Sequence, residues 1–256
     1  MSDYILPHSM PREEKRLALM SHMLDPHTMF RLSELGVGQG WRCLEIGAGN
    51  GSLSQWLADR VGPAGHVVAS DIDTRYLDAL EVPNLEVRAL DVTKDGLGED
   101  YDLVLVRDVL HHLPARDDVL LKLATTVKPG GVLFVQEPDF HPVLNTDNPA
   151  VRDFWQGFLA WSATRGIDYF VGRKLAPALS AAGMTTIDVH GETILFQGGS
   201  AYARFWLLTF EELRDPILSS GLITKALWNE TMALFEDPAF WTWQNSFVVT
   251  RAKKPG

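Results

Sequence analysis

The sequence predicts an α/β fold in which a largely parallel sheet carries helices on both faces. Three observations predict it. Apolar and amphipathic runs alternate from Trp41 to Val135, and the first apolar run, Leu44-Glu45-Ile46, opens into Gly47-Ala48-Gly49-Asn50-Gly51. The next two apolar runs each end near an acid, Asp71 and Asp91, twenty residues apart.

From Pro11 to about Leu35, Leu17, Met20, Leu24 and Leu32 recur at helical spacings among charged residues, and Asp25-Pro26 is expected to break the run into two helices. Strands are expected over 42–46, 66–70, 85–90, 102–107 and 131–136, with Gly62-Pro63-Ala64-Gly65 turning the chain before the second. Ligands of such sheets gather at the carboxyl ends of the strands, which places Glu45, Asp71, Asp91, Arg107 and Glu137 around one crevice. Beyond Glu137-Pro138-Asp139 the composition shifts, and six of the eight tryptophans fall between Trp155 and Trp243. Segments 140–172 and 200–240 are expected to cap the crevice with helices. Runs 185–197 and 246–252 alternate as a hairpin-like pair should and are expected to be the last two strands. Residues 1–256 therefore read as a single domain, with 1–35 a helical segment preceding a core over 36–139.

The glycine turn indicates a nucleotide ligand approached by bare backbone. A dinucleotide fingerprint needs glycines at first, third and sixth positions, yet the sixth is Ser52 counted from Gly47 and Ser54 counted from Gly49. Glu45 would sit poorly beside a pyrophosphate and well beside an ammonium group, as S-adenosylmethionine carries. A carboxylate at the position of Asp71 can accept from ribose hydroxyls, and Asp91 can accept from an adenine amino group.

On these residues the sequence resembles the class I S-adenosylmethionine-dependent methyltransferases, and within them the small-molecule branch often labelled type 11. Glu45 through Gly51 matches the first motif, Asp71-Ile72-Asp73 the second and Ala89-Leu90-Asp91-Val92 the third. Tyr101 through Arg107 with His111-His112-Leu113-Pro114 is similar to the fourth, and Leu121 through Lys128-Pro129-Gly130-Gly131-Val132-Leu133 to the fifth. The resemblance covers roughly residues 36 to 197. It implies a Rossmann-like, seven-stranded, mostly parallel sheet, with the N-terminal helices folding over the cofactor as a lid and bringing Tyr4 or Leu6 near the adenosine. It also implies that Glu45, Gly47, Gly49, Gly51, Asp71, Ile72, Asp91, Val92 and Arg107 hold S-adenosyl-L-methionine. Arg107 has open alternatives, either the methionine carboxylate or a substrate anion, or a structural pair with Asp108 or Glu137.

Composition narrows the acceptor. A formal charge of −10 repels a phosphate backbone, and no basic cluster interleaved with aromatics appears outside Arg251-Ala252-Lys253-Lys254, so nucleic acid is excluded as a substrate. The single cysteine, Cys43, lies in the first strand, where it reads as core; it forms no intrachain disulfide and no thiolate cluster for a metal. No signal-peptide pattern opens the chain and no run reaches bilayer length, which predicts a cytoplasmic protein with no membrane partner.

Methyl transfer from a sulfonium is an in-line displacement, and a protein base helps when the nucleophile arrives protonated. His111 and His112 follow the fourth strand, and at the start of a helix they would point about 100° apart, leaving one to face the pocket. Some O-methyltransferases that the segment resembles carry a similar His-His after the fourth strand and an Asp after the fifth, which His111, His112 and Asp139 match. Adjacent helical histidines ligate one ion poorly, so no metal is expected. Arg165 and Arg173 flank Tyr169, placed either to meet an acidic acceptor or simply in solvent. The aromatic cap suggests a small aromatic or hydrophobic acceptor, methylated on oxygen or nitrogen. The alternative reading keeps the cofactor as a bound element while the cap shapes a non-methylating cyclisation or rearrangement.

Overall fold

In the computed structural model, which describes residues 12–256, a long helix, Glu13–Glu34 (α1), precedes the sheet. It is one helix with Pro26 inside it, not two. Proline removes one helical hydrogen bond, but its φ is helical. The turn around it is held by buried contacts: Asp25 meets Arg107, and Thr28 donates to Gln136 Oε1 at 2.6 Å. Tertiary packing outweighs the local break. Tyr4 and Leu6 lie outside the described residues.

The core alternates as expected: Arg42–Ile46 (β1), Ser52–Val61 (α2), His66–Asp71 (β2), Leu85–Ala89 (β3), Tyr101–Arg107 (β4), Arg116–Thr126 (α3) and Val127–Asp139 (β5). β1 pairs in parallel with β2 and β4, β2 with β3, and β4 with β5. Strands covered on both faces need near-continuous apolar runs, and Leu103 to Val106 are all fully buried. The edge strand β3 instead alternates, with Glu86 and Arg88 paired at 2.7 Å on its outer face. β5 is longer than the expected 131–136, because its first residue pairs with Tyr101 across a register shift at Lys128-Pro129-Gly130-Gly131.

After the cap helix Pro149–Ala163 (α4) and the short Leu175–Ala181 (α5), the chain adds Thr186–Glu192 (β6), Leu195–Gln197 (β7), Ala201–Ser219 (α6), Lys225–Glu236 (α7), Trp241–Trp243 (β8) and Ser246–Lys253 (β9). The main sheet has seven strands in the order β3-β2-β1-β4-β5-β9-β6, with β9 antiparallel to both neighbours. The expected strand 185–197 is therefore divided. Glu192 meets Phe247 near the start of β9, where the partner strand runs out. The chain then leaves the sheet, and β7 pairs with β8, with Phe196 and Thr242 buried on the inner face.

Local chemistry starts α4, α6 and α7. Asn148, Ser200 and Thr224 each cap a helix by accepting from the amide three residues on, at 3.1, 3.3 and 3.2 Å, and Pro149 occupies the first turn of α4. Their apolar faces meet in one aromatic cluster: Trp155 lies 4.9 Å from Trp206, and Phe154 lies 4.9 Å from Phe210. Most of the aromatic residues of segments 140–172 and 200–240 pack in this cluster, and Phe140, Tyr169, Phe205 and Trp206 also line a cleft at the end of the sheet. Among the described residues, no helix is long and apolar enough to cross a membrane.

Candidate functional site

A cleft opens at the carboxyl end of the sheet, enclosing about 1240 Å³ when its open mouth is counted. One side is built by the glycine turn. Gly47, Gly49 and Gly51 all have positive φ, at 73°, 57° and 76°, a region that disfavours side chains. A Cβ on Gly47 would lie 2.3 Å from Val109 Cγ2, so the turn and the segment after β4 are in contact only because the residue is glycine. Gly47 and Gly49 line the cleft. Gly51 does not; a Cβ there would lie 2.5 Å from Leu80 Cδ1, so this glycine serves packing at the start of α2.

Asp71 ends β2 and ties the turn down: its Oδ2 accepts from Gly49 N at 2.9 Å and its Oδ1 from Asp73 N at 3.2 Å. It lines the cleft with Ile72, Asp91 and Val92. Ile72 is an apolar side chain 49% exposed and presents apolar surface to the cleft. The Lys94 ammonium at 2.7 Å, with help from Thr93, pushes Asp91 down to about 2, so it remains a carboxylate acceptor.

Two predicted cofactor residues stand differently. Glu45 is buried behind the turn, accepts from the Ser54 hydroxyl and is not among the cleft-lining residues. Burial pushes its carboxyl up to about 7. Arg107 lines the cleft, but its Nη1 lies 2.7 Å from Asp25 Oδ1 on α1, and neither Asp108 nor Glu137 is its partner. The N-terminal helix supplies the counter-charge that the strand-end pattern did not show.

The other side of the cleft begins where β4 ends. Asp108 takes a positive φ of 55°, and Leu110–His112 then form a single 3-10 turn. Glu137, at the end of β5, anchors that turn. Its Oε1 accepts from the amides of Val109 and Leu110 at 2.9 and 2.7 Å, and its Oε2 accepts from the His111 amide at 3.2 Å and faces His111 Nδ1 at 2.7 Å. Burial pushes the Glu137 carboxyl up to about 7, opposed by those amides, and burial drives His111 down to about 3. Burial thus favours a neutral imidazole for His111, with its Nδ1 facing the Glu137 carboxyl group. His112 is likewise driven well down by burial. Both rings line the cleft, with centroids 3.8 Å apart, rather than one alone: the residues form a lone 3-10 turn, not the start of an α-helix.

Asp139 stands elsewhere. Both its oxygens bond the Arg173 guanidinium, at 2.5 and 2.6 Å, and one accepts from His141 N. Burial opposes its ionisation, yet Arg173 holds it below the usual carboxylate range. Asp139 does not line the cleft; the acid that meets a histidine is Glu137, two residues earlier. Arg165 lies 4.0 Å over the Trp161 ring, so neither cap arginine faces the cleft. Ligand atoms of Asp108, His111 and Glu137 lie within 4.8 Å of one another. Within this group Glu137 already accepts from three amides and faces His111 Nδ1.

Several cleft residues carried no sequence signal. Arg16 on α1 is buried, pairs in two bonds of 2.7 Å with the fully buried Glu13 and lies 5.5 Å from the centre of the Phe205 ring. Asp108, Asn245 and Phe247 also line the cleft. The positive φ of Asp108 is a property of the folded turn, and Asn245 and Phe247 lie just before and within β9, whose position is set only by the sheet.

Comparisons with known proteins agree with this architecture. The family model described as a methyltransferase domain matches residues 13–189. A hybrid PKS-NRPS synthetase from Emericella nidulans is 27% identical over 72% of this chain. A ubiquinone biosynthesis O-methyltransferase from Burkholderia cenocepacia is 30% identical over 48% of it, and a ubiquinone/menaquinone biosynthesis C-methyltransferase from Chromobacterium violaceum is 36% identical over 42%. The chain spans 5%, 61% and 47% of the lengths of those three proteins. The phosphoethanolamine N-methyltransferase 2 of Haemonchus contortus, solved with phosphomonomethylethanolamine and S-adenosylhomocysteine, shares the fold with a TM-score of 0.55 at 15% identity, over 95% of this chain and 53% of that one. Matched by the family model over well more than half its length, the chain belongs to the methyltransferase domain family.

Proposed function

We propose that the chain transfers a methyl group from S-adenosyl-L-methionine to an oxygen or nitrogen of a small aromatic or hydrophobic molecule. The observation that carries this reading is that one cleft joins a glycine-and-acid wall to an aromatic wall holding His111, whose Nδ1 is held by Glu137. Gly47 and Gly49 offer bare backbone to the cofactor, Asp71 and Asp91 offer carboxylates, and Ile72 and Val92 offer apolar surface. When bound, the cofactor supplies an electrophilic methyl group. The protein's part is placement of the acceptor and removal of its proton. His111 Nε2 is the base, with Nδ1 of the same ring 2.7 Å from Glu137 Oε2. The apolar neighbours Phe140, Tyr169 and Phe205 hold the acceptor in a low-dielectric setting. Helix α1 serves as the lid over this site, and segments 140–172 and 200–240 serve as the cap; Arg16, Leu17, Met20 and Met23 of α1 already form part of the wall.

Calorimetric titration tests the first half: the folded protein binds S-adenosylhomocysteine, and an absence of binding would overturn the reading. Incubation with methyl-labelled S-adenosylmethionine and the aromatic acceptor tests the second, with label expected in the product. Product formed while the label stays on the cofactor would instead support the cyclisation reading.

A further inference from the structure

On the aromatic side of the cleft, the Asn245 side chain carries a polar atom that the described residues leave unanswered. Asn245 is 1% exposed and lines the cleft, and its Oδ1 has no hydrogen-bond partner among the described residues. Its orientation is defined, because Nδ2 donates to the Ser246 carbonyl at 3.1 Å; exchanging the two amide atoms would set oxygen against oxygen. The backbone on either side is also held. Gln244 N donates to the Ile194 carbonyl at 2.9 Å, the Gln244 side chain accepts from Trp206 Nε1 at 2.8 Å, and Ser246 pairs with Asp139 at the end of β5. Asn245 therefore lies just beyond the end of that strand pair, by the Phe140 wall. Thr209, another polar residue of the wall, spends its proton on the Phe205 carbonyl at 2.8 Å. A buried amide oxygen on a residue of the cleft wall, left without a donor among the described residues, is a place for a donor from the ligand once the wall adjusts to it.

We infer that Asn245 is a specificity-determining residue: its Oδ1 receives a hydroxyl or N–H of the acceptor, distinct from the group that His111 deprotonates. This rests on the reading that the cleft binds a methyl acceptor. The acceptor class that follows is a neutral arene with two donors, such as a dihydroxylated or amino-hydroxylated ring. An arene fits because the surrounding wall is Phe140, Tyr169, Trp206 and Phe247, and neutrality fits because the nearby Arg16 already has Glu13 as its counter-ion. A site built to receive a donor strongly rejects an analogue that lacks it.

The test is calorimetric titration of the protein loaded with S-adenosylhomocysteine, using unsymmetrical dihydroxynaphthalene isomers and their two monomethyl ethers. With the unaltered protein, at least one isomer is expected to bind, and blocking either hydroxyl is expected to weaken it about tenfold. In Asn245→Leu only one of the two ethers remains penalised, while Asn245→Asp, which keeps an acceptor, retains both penalties. Unchanged affinity for S-adenosylhomocysteine in each variant shows that it is folded. The inference is overturned if no isomer binds, if the unaltered protein is indifferent to the second ether, or if Asn245→Leu keeps both penalties. If Asn245→Leu does not fold, Asn245→Ala, which also removes the acceptor, is expected to lose the same penalty, and its keeping both penalties would overturn the inference. Loss of S-adenosylhomocysteine binding by the unaltered protein would instead count against the proposed function itself.

Discussion

His111 Nδ1 lies 2.7 Å from Glu137 Oε2, on the same carboxylate that accepts from the amides of Val109 and Leu110. One buried side chain thus holds the turn after β4 and faces the ring that the turn carries. Glu137 acts through His111, as a positioning residue for the proposed base.

Glu137→Gln changes both jobs at once. An amide nitrogen in place of Oε2 faces Nδ1 and the His111 amide, so it favours the tautomer with the proton on Nε2 and costs the turn one accepted hydrogen bond. The expected outcome is a fall in kcat of about a hundredfold or more, with S-adenosylhomocysteine affinity unchanged within about threefold. Single-turnover kinetics and calorimetry measure the two. An unaltered kcat would remove Glu137 and His111 from the chemistry.

Asp71 and Asp139 make an opposed pair of variants. Asp71→Ala removes the carboxylate that holds Gly49 N and faces the cleft, so cofactor affinity should drop about tenfold or more. Asp139→Asn loosens the Arg173 pair outside the cleft. It should leave kcat within about threefold, because a partly exposed ion pair away from the reacting atoms contributes little. A large loss of kcat in the second variant, at unchanged stability, would return Asp139 to the active site.

The Arg107–Asp25 pair is buried on both sides and joins β4 to α1. Replacing Arg107 alone with Met leaves Asp25 as an uncompensated buried charge, at a cost of about 3 to 5 kcal/mol. Arg107→Met with Asp25→Leu should recover most of that in urea denaturation. A recovered double variant that still binds S-adenosylhomocysteine normally would show that Arg107 is structural.

Glu45 carries a pH dependence whose direction is set by burial. Its carboxyl is raised to about 7, so the folded chain holds the proton more tightly than the unfolded one. Its contribution to stability is full below the ordinary carboxylate pKa and is lost as pH rises through about 7. Glu45→Gln mimics the protonated form at every pH. Relative to the unaltered protein, the variant should gain about 3 kcal/mol between about pH 5 and about pH 9, read from paired denaturation curves. A difference that does not change with pH would show that Glu45 is ionised throughout.

Much of the fold was legible because its signals are local. Val67-Val68-Ala69 and Leu103 to Val106 are continuous apolar runs, as strands covered on both faces require, and three glycines at positive φ mark the turn that lines the cleft. The Asp25-Pro26 break misled because a proline's local cost is small beside buried contacts made to β4 and β5. The single run 185–197 misled because alternation looks the same whichever strand lies beside it.

The sequence by itself determined the sheet core, the glycine turn and the order in which Asp71, Asp91, His111 and Glu137 reach the strand ends, since periodicity and turn chemistry act over a few residues. Only the tertiary structure decided how those side chains pair. It gave His111 to Glu137 and Asp139 to Arg173, withdrew Glu45 behind the turn, set Asp25 against Arg107 and brought Asn245 beside the Phe140 wall. These pairings join residues separated by up to about a hundred positions along the chain. Sheet register and helix packing bring them together, and no local pattern encodes either.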